Sequence, residues 1–281
     1  MGCVGICGSV NMDVFGYVEH LPAPGETLRG SRLAYAPGGK GGNQAVAAAR
    51  LGATVRLTSA CGRDEFGDEL AAALREDGVD LTGLRRVGEA TGVALILVDD
   101  AGENQIVVIP GANDAVEPPA ADVDVDVWLV QAEIPLDAVE GTLAAARATG
   151  ATAVVNPSPA ARIPPALVAR YDVAIVNETE LDALGGEHPP RVVLTLGERG
   201  VRILPEGTEL PAIPARVVDT TGAGDALAGA TAAALAEGRS LEEAIGWGIA
   251  TSSLAVERPG CQPAMPRRDE VEMRMRGAAP A

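Results

Sequence analysis

Residues 127–156 read VWLVQAEIPLDAVEGTLAAARATGATAVVN. The stretch opens with Val127–Gln131, an apolar run closed by a glutamine. It continues through a helical period at Leu136–Thr149, meets Gly150, and resumes as a second apolar run at Ala153–Asn156. A strand that is apolar on both alternating faces must be covered on both, and a glycine directly after a helical period is a common C-terminal stop. Strand, crossover helix and strand in this order form the unit of a parallel sheet.

The same alternation extends outward in both directions. Cys3–Ser9, Val55–Cys61, Val173–Val176 and Val192–Leu196 read as further strands, and Asn43–Arg50 and Phe66–Asp77 as helices stopped by Gly52 and Gly78. The prediction is an α/β fold: a mostly parallel sheet with helices on both faces, hence a three-layer α/β/α core. Two segments break the rhythm. Val10–Pro37 carries Pro22, Pro24, Gly25 and Gly30 without a helical period, and Thr91–Asp99 with Gln105–Pro110 reads as a hairpin turning at Asp100–Glu103. Together they predict a small β-sheet lid, formed discontinuously by about residues 11–37 and 90–111. The Pro/Ala/Asp-rich stretch Ala115–Asp126 reads as a surface connection.

Composition narrows the function. The 281 residues are 47% hydrophobic but only 2% aromatic, so the core is built from Val, Leu, Ile and Ala layers. A formal net charge of −17 leaves no basic stripe to displace counterions from nucleic-acid phosphates. Cys3, Cys7, Cys61 and Cys261 form no CxxC pair and suit a reducing compartment. No basic leader with an apolar core and no apolar run near 18 residues is seen, so the expectation is a soluble cytoplasmic protein without a membrane partner. Neither His20 nor His188 has a partner at ligand spacing, which argues against zinc.

Open α/β sheets bind ligands beyond the carboxyl ends of their strands. Asn11 and Asp13, Glu133, Asn177 and Glu180, and Gly197 fall just after strand candidates, and Asn156 closes its own. One such residue is explained by helix capping; six polar residues on one rim point to a ligand cleft. The most informative segment is Val218–Asp225, VDTTGAGD, leading into a helix at Ala226–Glu237 that Gly238 stops. Small residues there let backbone N–H groups at a helix N-terminus approach a phosphoryl group. A carboxylate beside an anion site is electrostatically awkward unless it takes a proton from an attacking hydroxyl, which gives Asp225 a role beyond capping. Pro37–Gln44, PGGKGGNQ, is a second glycine-dense turn into a helix and places Lys40 near the cleft. Neither GxxxxGK[ST] nor a GxGxxG after a strand is present, so phosphoryl transfer here needs a scaffold other than a P-loop.

These residues carry a resemblance. Gly8–Asp13, Pro22–Thr27, Gly38–Gln44, Thr91–Ala94, Gly111–Asn113, Asn156–Pro159, Asn177–Glu180 and Asp219–Asp225 appear in an order that resembles the ribokinase-like (PfkB) carbohydrate kinase family nearly end to end. The resemblance implies a single kinase domain over 1–281 that phosphorylates D-ribose at its 5-hydroxyl with ATP. Asp225 would be the base, and Gly222, Ala223 and Gly224 the anion hole. Asn11, Asp13, Gly39, Lys40, Asn43 and Glu133 match sugar-holding positions. Asn177 and Glu180 match a pair that organises Mg2+ and the nucleotide phosphates; Thr195, Gly197 and Gly224 match the nucleotide side. Asp219, Thr221, Ala255, Arg258 and Gly260 correspond to a loop for a monovalent cation, K+.

The chain departs from the pattern at three places. Gly42 and Gly222 stand where such kinases tend to carry Ala. Ala264 replaces a common hydroxyl residue of the cation loop. The connection from Glu180 to Val192 is short and lacks a helix that relatives place there. Other readings are a family kinase for deoxyribose, a ketohexose or a nucleoside, and a non-catalytic sugar-binding sensor; the latter would be expected to lose Asp225 or its glycine loop. Thr91–Val98 and Ile106–Ile109 are apolar on both faces, which predicts a homodimer through the lid.

Overall fold

The computed structural model describes residues 2–277. The first half of the chain comprises β1 (Cys3–Cys7), β2 (Asn11–Tyr17), β3 (Arg32–Gly38), α1 (Lys40–Arg50), β4 (Thr54–Gly62), α2 (Glu65–Glu76), β5 (Asp80–Val87), β6 (Gly92–Val98), β7 (Asn104–Ile109) and β8 (Val127–Gln131). The second half continues with α3 (Leu136–Thr149), β9 (Thr152–Asn156), α4 (Pro165–Val168), β10 (Val173–Asn177), α5 (Glu178–Ala183), β11 (Arg191–Thr195), β12 (Val201–Leu204), β13 (Thr208–Leu210), α6 (Ala223–Ala236), α7 (Leu241–Ala255) and α8 (Arg268–Met275).

Nine strands form the large sheet in the order β13-β12-β11-β10-β9-β8-β1-β4-β5. Pairing is parallel from β5 through β11, and β12 and β13 add an antiparallel edge. Successive strand residues face opposite sides. Val4, Ile6, Val127 and Leu129 therefore join one core with α1, α2, α6 and α7, while Cys7, Trp128 and Val130 join another with α3 and α4. These two apolar layers are why the strands carry continuous hydrophobic runs.

The segments that broke the rhythm form a second sheet, β3-β2-β6-β7. β2 pairs antiparallel with β3 and parallel with β6; β6 and β7 form the hairpin read from the sequence. Gly52, Gly78, Gly150 and Gly238, read as helix stops, all have left-handed φ between 76° and 91°. Several boundaries and elements differ from expectation. The first strand ends at Cys7, not Ser9, and α6 starts three residues before Ala226, so Asp225 lies inside its first turn. The strands β5, β12 and β13 and the helices α4, α5, α7 and α8 were not read. Between Ala183 and Arg191 the chain forms no helix; Gly185 and Gly186, with φ 58° and 90°, turn it directly toward β11.

Candidate active site

Close backbone packing positions the first group of polar side chains. Gly39, with φ 83°, precedes α1, and a Cβ there would lie 2.6 Å from the Asn11 nitrogen. A Cβ on Gly41 would lie 2.6 Å from the Gly8 carbonyl carbon. Only glycine lets the start of α1 sit against the β1–β2 link, and this contact delivers Lys40, Asn43 and Gln44 to the carboxyl ends of the large sheet.

Asp225 is buried in the first turn of α6. Asn43 Nδ2 donates to its Oδ2 and Gln44 Nε2 to its Oδ1, both at 2.9 Å. Gln44 Nε2 also donates to Asn156 Oδ1 (3.2 Å), and Gln131 Nε2 donates to Gln44 Oε1 (2.5 Å). The buried Asn43 Oδ1 has no partner among the described residues. An uncompensated acceptor beside a carboxylate is the kind of group a ligand hydroxyl satisfies.

Asn11, Asp13 and Glu133 line up on the same side. Asn113 Nδ2 donates to Asn11 Oδ1 (2.7 Å) and to the Val10 carbonyl, and its Oδ1 accepts from Val10 N–H, so the Asn11 amide is locked in place. Glu133 Oε2 accepts from Ser9 Oγ (2.6 Å) and from the Lys40 backbone N–H (3.3 Å). Asp13 is 7% exposed, and no protein donor reaches its carboxylate among the described residues. Burial, with the charges of Glu133 and Asp225, pushes its pKa from 3.8 up to about 7. Gly38 makes room for it: a Cβ there would lie 2.2 Å from Asp13 Oδ2. For the Lys40 ammonium, burial alone would lower the pKa, but Asp225, Glu133 and Glu180 outweigh it and raise it.

A cavity of about 190 Å³ adjoins this group, lined by Lys40, Asn156, Ser158, Ile175, Val176, Asn177, Glu180, Thr195, Gly222, Gly224 and Asp225. Lys40 and Asp225 belong to both. Asn177 and Glu180 form a reciprocal capping box on α5: Asn177 Oδ1 accepts from Glu180 N–H (2.8 Å), and Glu180 Oε2 accepts from Asn177 N–H (3.0 Å). Gly197, with φ 59°, turns the chain after β11 and is not among the cavity-lining residues. At the start of α6, Gly222 has φ 75°. The Ala223 N–H donates to the Thr220 carbonyl (3.2 Å), whereas the N–H groups of Gly222 and Gly224 have no backbone acceptor among the described residues. Of the three amides read as an anion hole, two are therefore free to meet an anion in this conformation.

The loop ahead of α6 is braced by Asp219, whose Oδ1 accepts from Thr221 N–H and Oδ2 from Gly260 N–H, each at 2.9 Å. Burial would raise its pKa, yet these hydrogen bonds hold it below the ordinary value. Arg258 is ion-paired with Glu270, and its own N–H donates to the Ala255 carbonyl (3.2 Å). Among the described residues no side-chain cation pairs with the Asp219 carboxylate. The two glycine departures converge on one dipeptide. A Cβ on Gly222 would fall 2.0 Å from Cys261 Sγ, and one on Gly42 3.0 Å from Gln262 Nε2. Burial and the neighbouring charges of Asp225 and Asp13 push the Cys261 thiol well up.

Four further residues of the site, Ser9, Gln44, Asn113 and Gln131, were not picked out as functional from sequence. The available signal was a buried-type amide at the end of an apolar run (Gln131) and one in an Ala-rich helix (Gln44).

The match to the model of pfkB family carbohydrate kinases spans residues 3–268. The chain is 35% identical to the ribokinase of Haemophilus influenzae, with 94% of this chain and 95% of that protein aligned. It is likewise 35% identical to the ribokinase of Bacillus subtilis, over 95% and 97% of the two chains. The structure of Arabidopsis thaliana ribokinase complexed with ribose and ATP superposes with a TM-score of 0.88, at 31% identity and 98% coverage of both chains.

Proposed function

Because the chain belongs to the pfkB family of carbohydrate kinases, we propose that it transfers the γ-phosphoryl group of ATP to the 5-hydroxyl of D-ribose, giving D-ribose 5-phosphate and ADP. The observation that carries this reading is the Asp225 carboxylate, held by two amide donors at the junction of the Asp13 group and the Glu180-lined cavity. The sugar lies on the Asn11–Asp13–Glu133 side and the nucleotide in the cavity. Asp13 and Asn43 Oδ1, both short of donors, accept sugar hydroxyl hydrogens and fix the ring. The 5-hydroxyl oxygen forms a bond to the γ-phosphorus as the bond from that phosphorus to the bridging oxygen breaks. Its proton passes to Asp225, and the electron pair leaves with ADP. Lys40 and the free N–H groups of Gly222 and Gly224 face the charge that develops on the phosphoryl oxygens.

Two ions fit this site. Magnesium keeps several waters and needs only one or two carboxylates besides phosphate oxygens, which Glu180 beside Asn177 supplies; it would neutralise phosphate charge. A K+ ion suits the loop of Asp219, Thr221, Ala255, Arg258 and Gly260, whose carbonyl oxygens would be its ligands, since both Asp219 oxygens already accept amides and Ala264 brings no hydroxyl. The small sheet acts as the lid over the sugar. On its face opposite Asp13, the cross-strand row Tyr35–Val14–Leu95–Val107 leaves Tyr35, Leu95 and Val107 43–60% exposed, which favours a homodimer through the lid. All four cysteines are unpaired, in keeping with a cytoplasmic setting.

A coupled ATP-consumption assay over pentoses, hexoses and nucleosides tests the substrate. D-ribose is expected to give the highest kcat/KM, with weaker use of 2-deoxyribose. A clear preference for a ketohexose or a nucleoside would refute it.

A further inference from the structure

Gln44 is fully buried in α1, among Ala45, Val46, Ala47 and Ala48. An amide in such a setting costs stability unless its donors and acceptor are met, and here they are met by one specific chain. The carbonyl of Ile175 accepts from Asn156 Nδ2 (2.9 Å), which leaves Asn156 Oδ1 as an acceptor facing Gln44. Gln131, also fully buried at the end of β8, donates to Gln44 Oε1 from the opposite side. With its oxygen engaged there, Gln44 turns its two N–H bonds to Asn156 and to Asp225 Oδ1. Were the amide reversed, its oxygen would face the Asp225 carboxylate and the Asn156 oxygen, two acceptors with no proton to share.

We propose that Gln44 is a positioning residue for Asp225, and that Gln131, which does not touch Asp225, braces that orientation by holding the Gln44 oxygen on the far side. With Asn43 holding the other oxygen, Gln44 fixes the rotation of the carboxylate plane and presents it only with donors. The carboxylate then keeps a lone pair free for the proton of the attacking hydroxyl. Gln44 is fully buried, where Asp13 and Asn43 keep some exposure, so it acts on the reaction through Asp225. The inference rests on reading Asp225 as the base.

The test compares kcat and KM for D-ribose and ATP in four single variants of the full chain. Gln44→Leu removes the donors at similar volume and is expected to lower kcat about 10- to 100-fold, with both KM values within about threefold of wild type. Gln131→Leu frees the Gln44 oxygen and should cost less, about three- to tenfold in kcat. Gln131→Glu reverses the chain when ionised, because a carboxylate only accepts and draws Gln44 Nε2 toward itself. Its kcat should fall below that of Gln131→Leu as pH rises and recover toward acid pH, where the protonated Glu donates as Gln does. Asp225→Asn is measured alongside and should lose most turnover while still binding sugar. If Asp225→Asn retains turnover, the base reading itself fails. If it loses turnover but Gln44→Leu keeps kcat, or lowers kcat and raises both KM values together, the positioning role is overturned. Should Gln44→Leu not fold, Gln131→Glu decides: a kcat that tracks wild type across pH refutes the proposal.

Discussion

Asp13→Asn is expected to stabilise the free protein while abolishing sugar binding. The Asp13 carboxyl is buried without a donor, and its pKa rises from 3.8 to about 7, first through burial and then through Glu133 and Asp225. In the folded chain this acid keeps its proton where the unfolded chain has lost it. Its contribution is therefore most favourable below about pH 4 and is lost as pH rises through about 7. Each tenfold change in acidity corresponds to about 1.4 kcal/mol, so the full loss at pH 8 is on the order of 4 kcal/mol. That figure is an upper bound, since water entering the site and local relaxation reduce it. For a chain of this size about 2 °C of Tm accompanies each kcal/mol, giving a rise of up to about 8 °C at pH 8. At pH 4.5 the same arithmetic leaves roughly 1 kcal/mol, or about 2 °C. Differential scanning fluorimetry of both proteins across pH 4.5–8, with and without D-ribose, measures this directly. Wild type should gain Tm on adding ribose, and the Asp13→Asn variant should not. A Tm difference that is flat with pH, or a variant less stable than wild type at pH 8, would refute the reasoning.

Gly222→Ala must place a methyl against Cys261 Sγ and hold Ala at φ 75°, a conformation costing about 1–2 kcal/mol. A lower Tm and at least a tenfold lower kcat are expected, and adding Cys261→Ala should recover the steric part but not the backbone part; wild-type kcat in the single variant would sink this account. Titrating KCl against choline chloride at constant ionic strength should raise kcat, with saturation only at high concentration because Ala264 brings no ligand, and a flat profile would mean that no cation acts there. Light scattering at micromolar concentration should give twice the chain mass of 28.5 kDa, and a monomer would end the lid-dimer reading.

The strands buried on both faces were legible because two apolar layers demand unbroken Val, Ile and Leu runs, as in β8 and β10. β5 was not, because its edge position tolerates Asp80, Arg85 and Arg86 on half-wet faces. α8, with five charged residues in RDEVEMRM, buries only Val271 and Arg274 and shows no apolar stripe. In the site, Asp225 and Lys40 stood out because charged groups in glycine-dense turns have few structural explanations, and Asn43 was picked out only by the family resemblance. Gln44 and Gln131 did not. Their significance lies in which partner each amide faces, a property of assembled geometry that spacing along the chain does not encode.

The strand order carries a consequence for synthesis of the chain. β1, the first strand made, sits inside the large sheet between β4 and β8. Its second neighbour is Val127–Gln131, so through more than a hundred residues of elongation one edge of β1 has no native partner. The small sheet, by contrast, uses only residues 11–109 and has all its strands before β8 exists. The nascent chain can therefore complete the small sheet while the centre of the large one remains an open, apolar edge, the kind of surface that chaperones cover and that mispairs when left bare. The emergence of β8 closes that edge and brings Gln131 to Gln44, so the same few residues end the vulnerable period and orient the base.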